Sequence, residues 1–371
     1  MNKVLVISST SIISGAEYVL FDYIKNSGYK NSFTLLHSDL KDVTNFYQKL
    51  NINCYKCKYL NPVGAERKKD IFSIIKKFFY FLFSFFCFRK IIKQNEIDIV
   101  FGNNTGDAIY SFYTKIFKKI HINCIQDIIE KNSLLNFSLK IFDPFINKYI
   151  AVSDAVKNSL IAININPSKI QVIYNGLKLK NNKLKYKKID SEISFGFVGY
   201  IDDVKNPMEF VDFIEVLKNN SIKYQAKMVA GKIINNKLYE NIIKKIKELK
   251  LNIEIINHIP REKMDLFYEN INFLVITSKK EALPTVILEA FNNRTPVIGK
   301  KVGGIQEIIN DNENGFLYNT KDEFNVIINK IIKLNNKKYN EMRANCIKTI
   351  KEKFNMQDKI KKLNTILFQE L

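Results

Sequence analysis

The sequence predicts an α/β protein built of two doubly wound halves, each a parallel sheet with helices on both faces. Three observations carry this expectation. The chain has 371 residues, too many for one ordinary core and comfortable for two domains. Short apolar runs alternate with helical patterns, as parallel strands joined by right-handed crossovers do. That alternation occurs twice, on either side of a Lys- and Asn-rich stretch at 178–190.

The elements follow in order. Residues 3–8 form a short apolar run of the kind buried in a parallel sheet. Small polar residues follow, then a helical pattern over 16–25. Further strand-like runs fall at 32–36, 97–101, 121–125 and 149–152, and 170–174 leads into the turn Asn175-Gly176. The second series opens at 193–198 and continues at 227–230, 253–256, 273–276 and 297–298, with a helix over 238–249. The tail from 337 reads as helices broken near Phe354-Asn355. This gives a first domain at 1–177, a linker at 178–192, a second domain at 193–352 and a terminal helix at 353–371. Two Rossmann-like halves of this kind take a ligand in the crevice between them, at the carboxyl ends of their strands.

Composition narrows the function. At 46% hydrophobic and 26% charged residues the chain is globular, not disordered. Its 58 Lys and Arg against 37 Asp and Glu give a net charge of +21. Arg occurs only at 67, 89, 261, 294 and 343. A nucleic-acid reader leans on clustered Arg forks with interleaved aromatics, and neither is present. Most of the Lys is read as solvated surface, and particular clusters as attraction to anionic head groups or phosphorylated substrates. Five Cys without a disulfide framework point to a reducing, cytoplasmic compartment. Cys54 and Cys57 have redox-motif spacing, but no second pair or His cluster completes a metal site. The run after Met1 is too short for a signal peptide and suits a first strand.

The chemistry concentrates in 278–290, Ser-Lys-Lys-Glu-Ala-Leu-Pro-Thr-Val-Ile-Leu-Glu-Ala. It follows a strand-like run, and Pro284 pre-sets a helix start. Glu281 then lies in the loop before the helix and Glu289 inside it. Free N–H groups at the helix start suit a phosphate, and a carboxylate further along suits two vicinal hydroxyls. Two Glu around a helix start are common; their flanks are not.

With those flanks the stretch resembles glycosyltransferase family 4, whose Glu-x7-Glu motif has the form S-x-x-E-[GA]-[FL]-P-x4-E-A. Thr295-Pro296-Val297-Ile298, Val302-Gly303-Gly304 through Ile309, and Asn314-Gly315-Phe316-Leu317 are similar to the family's continuation. Phe197 to Asn206 resembles its F-V-G-R-L-x3-K-[GN] element, with Lys205 in place and Tyr200 where the family has Arg. Lys279 and Lys280 are the candidate replacements for that cation. Ala151 to Val156, Val172 to Gly176 and Ser14-Gly15-Ala16-Glu17 resemble further elements. Where many relatives carry a His, this chain reads Gln126-Asp127. Asp127 takes over a polar contact or caps a turn, and both readings stay open. His37, His121 and His258 are read as structural.

The resemblance implies a two-domain fold of the GT-B type, with an acceptor-side first domain and a donor-side second domain. It implies retaining transfer of a sugar from a nucleotide-sugar donor to a lipid-linked or growing glycan in bacterial surface polysaccharide synthesis. No cofactor or metal is expected. Lys205, Glu281 and Asp127 are the candidate catalytic residues. Gly15, Gly199, Lys205, Glu281, Leu283, Pro284, Thr285, Val286 and Glu289 are the candidate donor contacts. A nucleotide-sugar epimerase, a phosphorylase, or a non-catalytic partner subunit are the alternatives on the same scaffold.

One stretch stands outside this scheme. Residues 71–92 are Phe-rich, with an eleven-residue apolar core from Phe78 to Phe88, short of the ~20 that span a bilayer. A helix here buries one face on the sheet. Its surplus aromatics, flanked by Lys76, Lys77, Arg89 and Lys90, suit an interfacial helix at the inner face of the cytoplasmic membrane.

Overall fold

The computed structural model describes residues 1–60, 71–180, 186–189 and 192–369, and of 71–74 the backbone alone. Part of the linker expected at 178–192 therefore lies outside the described residues. The chain divides into two compact units, Met1–Asn175 with Met356–Leu371, and Gly176–Asn355.

The first unit holds seven strands: β1 (Val4–Ser8), β2 (Phe33–Ser38), β3 (Asn53–Cys57), β4 (Ile99–Gly102), β5 (Ile120–Ile125), β6 (Lys148–Ala151) and β7 (Ile170–Val172). They form one parallel sheet in the order β3-β2-β1-β4-β5-β6-β7. The central strand β1 is buried on both faces, which is why it reads as an unbroken apolar run rather than an alternation. The edge strand β3, Asn-Cys-Tyr-Lys-Cys, mixes polar and apolar residues and is only partly covered. Its Cys57 thiol lies 2.7 Å from Cys87 on the helix Ile71–Gln94, and all five cysteines are free.

The second unit holds β8 (Ile193–Ile201), β9 (Tyr224–Ile233), β10 (Ile253–Ile256), β11 (Phe273–Ile276), β12 (Val297–Lys300) and β13 (Gly315–Tyr318). Their order, β10-β9-β8-β11-β12-β13, is again wholly parallel. The fold is thus two doubly wound α/β units, as the alternation predicts. Strand β13 is a difference of detail, since its residues read in sequence only as a closing signature. Gly315 lets it form, because a Cβ there would sit 2.1 Å from the Val297 carbonyl oxygen.

Each sheet changes winding direction once, between β1 and β4 and between β8 and β11. The carboxyl ends of those strand pairs are where an open α/β sheet binds ligands.

The terminal helix Met356–Phe368 completes the first unit. Asn2 Nδ2 donates to the Leu367 carbonyl at 3.0 Å, and Tyr23 Oη to Asn364 Oδ1 at 2.9 Å. Phe368 stacks on Tyr29 with ring centroids 4.4 Å apart. Lys359 is buried and donates to Asn175 Oδ1 at 3.0 Å; desolvation lowers its ammonium to about 8.

Candidate functional site

In the second unit the loop after β8 is held from three sides. Asp202 Oδ1 accepts the N–H groups of Val204 and Lys205 at 2.9 and 2.7 Å. Thr277, just past β11, donates to the carbonyls of Lys205 and Asn206 at 3.0 and 2.9 Å. Asn206 adopts the left-handed conformation, φ +50°, which Asn tolerates better than most residues. Its amide donates to Glu209 Oε2 at 2.6 Å, and Glu209 in turn receives Lys300 at 3.0 Å and the Tyr318 hydroxyl at 3.1 Å. Buried charge paired in this way fixes the loop. At its tip Lys205 Nζ reaches Glu281 Oε1 at 2.6 Å. Glu281 is nearly buried, while about a third of Lys205 stays exposed.

Glu281 is positioned by backbone. Gly304 N–H donates to its carbonyl at 2.9 Å. A Cβ on Gly304 would lie 2.0 Å from the Ala282 carbonyl oxygen, so only glycine permits this approach. Gly199, at the end of β8, is close-packed against the Phe197 ring, 3.1 Å from where a Cβ would stand. Leu283 and Pro284 are buried, and Pro284 is the extended N-cap of the helix Thr285–Asn292. In the first helical turn Ile287 N–H turns back to the Pro284 carbonyl at 3.2 Å, while Thr285 and Val286 are the first two helical residues, whose N–H groups lie beyond the reach of the intrahelical ladder at the positive end of the dipole.

Glu289 lies one turn further along. The Tyr268 hydroxyl donates to its Oε2 at 3.0 Å, and Arg261 Nη2 is 4.0 Å from Oε1. Burial pushes its carboxyl above the usual range, with Arg261 and Tyr268 opposing that rise. Tyr268 and Arg261 are not legible in the sequence: neither falls in a motif, and they lie 21 and 28 residues before Glu289. Tyr200 runs alongside Gly231 on β9, where a Cβ would stand 3.4 Å from its ring. Lys279 is exposed, and its N–H donates to the Val204 carbonyl at 2.8 Å, tying its loop to that of Lys205.

Lys205, Glu281, Leu283 to Val286, Glu289 and Gly199 therefore share one end of the second sheet. Gly15 and Asp127 belong to the first unit. Gly15 opens the helix Gly15–Asn26, capped reciprocally by Ser14 and Glu17. Asp127 follows β5 and accepts from Thr105 Oγ1 at 2.7 Å. Beside them the ends of β1 and β4 gather buried polar groups. Asp107 accepts from Ser9 N and Asn104 N, and desolvation raises its carboxyl to about 7. Ser9 lends its side chain as well as its backbone N–H to Asp107, and Asn103 Nδ2 is buried without a partner among the described residues. His121 is fully buried between Thr114 and Asn123, its imidazole lowered to about 4 by desolvation. Among the described residues no three His, Cys, Asp or Glu side chains gather as metal ligands do.

The family model of group 1 glycosyl transferases matches residues 180–353, and that of glycosyltransferase family 4 matches 54–181. The chain belongs to this family of glycosyltransferases. This glycosyltransferase is 27% identical to the capsular polysaccharide biosynthesis glycosyltransferase CapH of Staphylococcus aureus, over 61% of its own length and 66% of CapH. It is 23% identical to an α-1,4-N-acetyl-D-galactosaminyltransferase of Campylobacter jejuni whose name gives a diphosphoundecaprenol-linked GalNAc glycan as the acceptor, over 64% and 66% of the two chains. It thus spans about two thirds of each relative. The crystal structure of Anabaena HepE in complex with UDP and glucose superposes with a TM-score of 0.79 at 16% identity, over all of both chains, and shares the fold.

Proposed function

We propose that the chain transfers a sugar from a nucleoside-diphosphate donor, with retention at the anomeric carbon, to a hydroxyl of a lipid-linked or growing glycan in bacterial surface polysaccharide synthesis. The observation that carries this reading is the Lys205–Glu281 pair, set before the helix Thr285–Asn292 and its inward Glu289. In the reaction the bond from the anomeric carbon to the diphosphate oxygen breaks and a bond to the acceptor oxygen forms. The acceptor proton leaves on the departing diphosphate or to water. Lys205 meets the charge that develops on the diphosphate, and the N–H groups at Thr285 and Val286 meet the rest. Glu289 accepts from the ribose hydroxyls, and Glu281 orients Lys205 and the sugar. With the charge taken up in this way no metal ion is required. Asp127 and Gly15 are assigned as polar and backbone contacts to the reacting sugars. The work is done at the inner face of the cytoplasmic membrane, where a lipid-linked acceptor stands. The names of the relatives and the UDP and glucose held by HepE support this reading.

Tyr200, in place of the family Arg, favours a second reading: a partner subunit that binds the donor without transferring it. A thermal-shift screen of UDP-, GDP- and ADP-sugars separates the two. A true donor at a hundred times its dissociation constant stabilises the protein by about 2.7 kcal/mol. With that donor and bacterial membranes, turnover is expected, and Lys205→Ala should lower it by roughly a hundredfold or more. Binding without any turnover would establish the partner reading, and no binding by any nucleotide sugar would overturn both.

A further inference from the structure

The helix Ile71–Gln94 has far more apolar surface than its own unit covers. One face is packed: Ser84, Phe88, Ile91 and Ile92 are buried against Leu5, Ile7, Val100 and Tyr113. The opposite face carries Phe78, Phe79, Leu82, Phe83 and Phe86, the first and last of them 59% and 64% exposed. Phe81 leads this surface to a second helix, Ser111–Ile116, through a ring contact with Phe112 at 6.4 Å. Phe112, itself exposed, continues to Phe145 at 5.8 Å, directly after the helix Leu134–Phe142. Six half-exposed large side chains amount to on the order of 500 Å² of apolar surface, at the upper end of what a soluble monomer shows.

Its charge says what covers it. No Asp or Glu occurs between 71 and 94, whereas Lys76 and Lys77 precede the exposed aromatics and Arg89, Lys90 and Lys93 follow them. Between the two basic groups every exposed position is apolar. A helix lying flat with rings down and cations at both ends matches an anionic lipid surface. A second copy docked face to face would set the basic groups of both copies together and is disfavoured for that reason. Among the described residues no helix is long and apolar enough to cross a membrane. With Phe88, Ile91 and Ile92 packed on the sheet, the helix is free to present only its opposite face, lengthwise, to a surface.

We propose that Phe78, Phe79, Leu82, Phe83, Phe86 and Phe112, with the basic groups at each end, form a membrane-docking surface for anionic phospholipid. It is separate from the donor site, and its test reads partition, not turnover, so the two can fail independently.

The full chain is mixed with vesicles of phosphatidylglycerol and phosphatidylcholine, or of phosphatidylcholine alone, at low and high salt. Sedimentation with the anionic vesicles is expected at low salt and should fall at high salt. Replacing Arg89, Lys90 and Lys93 by Gln should weaken it by roughly a hundredfold. Phe79→Ser with Phe83→Ser and Phe86→Ser should abolish it with the thermal melt unchanged. The absence of Trp from the chain supplies a check that needs no disruptive variant. In Phe83→Trp the emission should shift to the blue on anionic vesicles, while in Tyr186→Trp, on the second unit, it should not. Wild-type protein that stays in the supernatant, an unshifted emission from Phe83→Trp, or a stable dimer without vesicle binding would each overturn the proposal.

Discussion

Two effects compete at Glu289: burial favours the neutral acid, while Arg261 and the Tyr268 hydroxyl favour the carboxylate. Those partners hold its carboxylate in one orientation, the one in which the proposed function has it accept from ribose hydroxyls. With the donor nucleotide that the thermal-shift screen identifies, Glu289→Ala should weaken binding by ~1–3 kcal/mol, and Tyr268→Phe by the smaller ~0.5–1.5 kcal/mol of a single lost hydrogen bond. Calorimetric titration giving unchanged affinity in a folded Glu289→Ala would remove Glu289 from the nucleotide site. A different residue sets the response to acid. His121 titrates near 4 in the fold and near its ordinary 6.5 when unfolded. Between those values only the unfolded chain takes up the proton, so its contribution is full above 6.5 and is lost as pH falls to 4. The loss amounts to at most about 3 kcal/mol. Asp107, raised to about 7, acts with the opposite sign, stabilising at low pH and losing that contribution as pH rises through 7. Comparing wild type with His121→Gln cancels Asp107. The wild-type advantage in urea unfolding should shrink between pH 7 and pH 4.5, and a constant difference would show that His121 is not the group responsible.

At the scale of elements, the site depends on a loop-to-loop contact more than on any helix. Gly304 presses on the backbone of Ala282 so closely that a methyl group cannot be accommodated without moving the Glu281 loop. Gly304→Ala should therefore cost ~1–3 kcal/mol of stability and reduce affinity for that donor nucleotide as well. Gly28 is the useful contrast: at φ +77° a methyl group there would meet nothing within 4 Å, and Gly28→Ala should cost only the ~1–2 kcal/mol of left-handed backbone. Its affinity for the donor nucleotide should match wild type. Melting curves and titrations on the pair would refute this account if Gly304→Ala bound the donor nucleotide normally.

Across the whole molecule, the first unit is discontinuous in sequence. Ile360, Leu363, Ile366 and Leu367 are buried by it, and at ~1.5–3 kcal/mol each their burial is worth about 6–12 kcal/mol. That rivals the entire stability of an ordinary domain. A chain ending at Asn355 should consequently lose hydrogen-exchange protection in the helix Gly15–Asn26 and in β1 and β2, while β8 to β13 keep theirs. Equal loss in both units, or none in the first, would contradict the division.

The sequence alone determined the central strands and the line of the Glu-x7-Glu stretch. Strands buried on both faces must be continuously apolar, as β1 and β11 are, and a helix start after Pro284 follows from local backbone chemistry. Local rules lost force where burial is partial or partners are distant. Strand β13 depends on Gly315 fitting against Val297, and Glu289 acquires Tyr268 from the helix Met264–Glu269 and Arg261 from the turn before it. The Phe-rich helix shows the limit most directly. Apolar on every side over 78–88, it has no hydrophobic face for periodicity to select. Only packing against β1 and β4 decided that Phe88 goes in and Phe86 stays out, and only the neighbouring Ser111–Ile116 helix brought Phe112 to that surface.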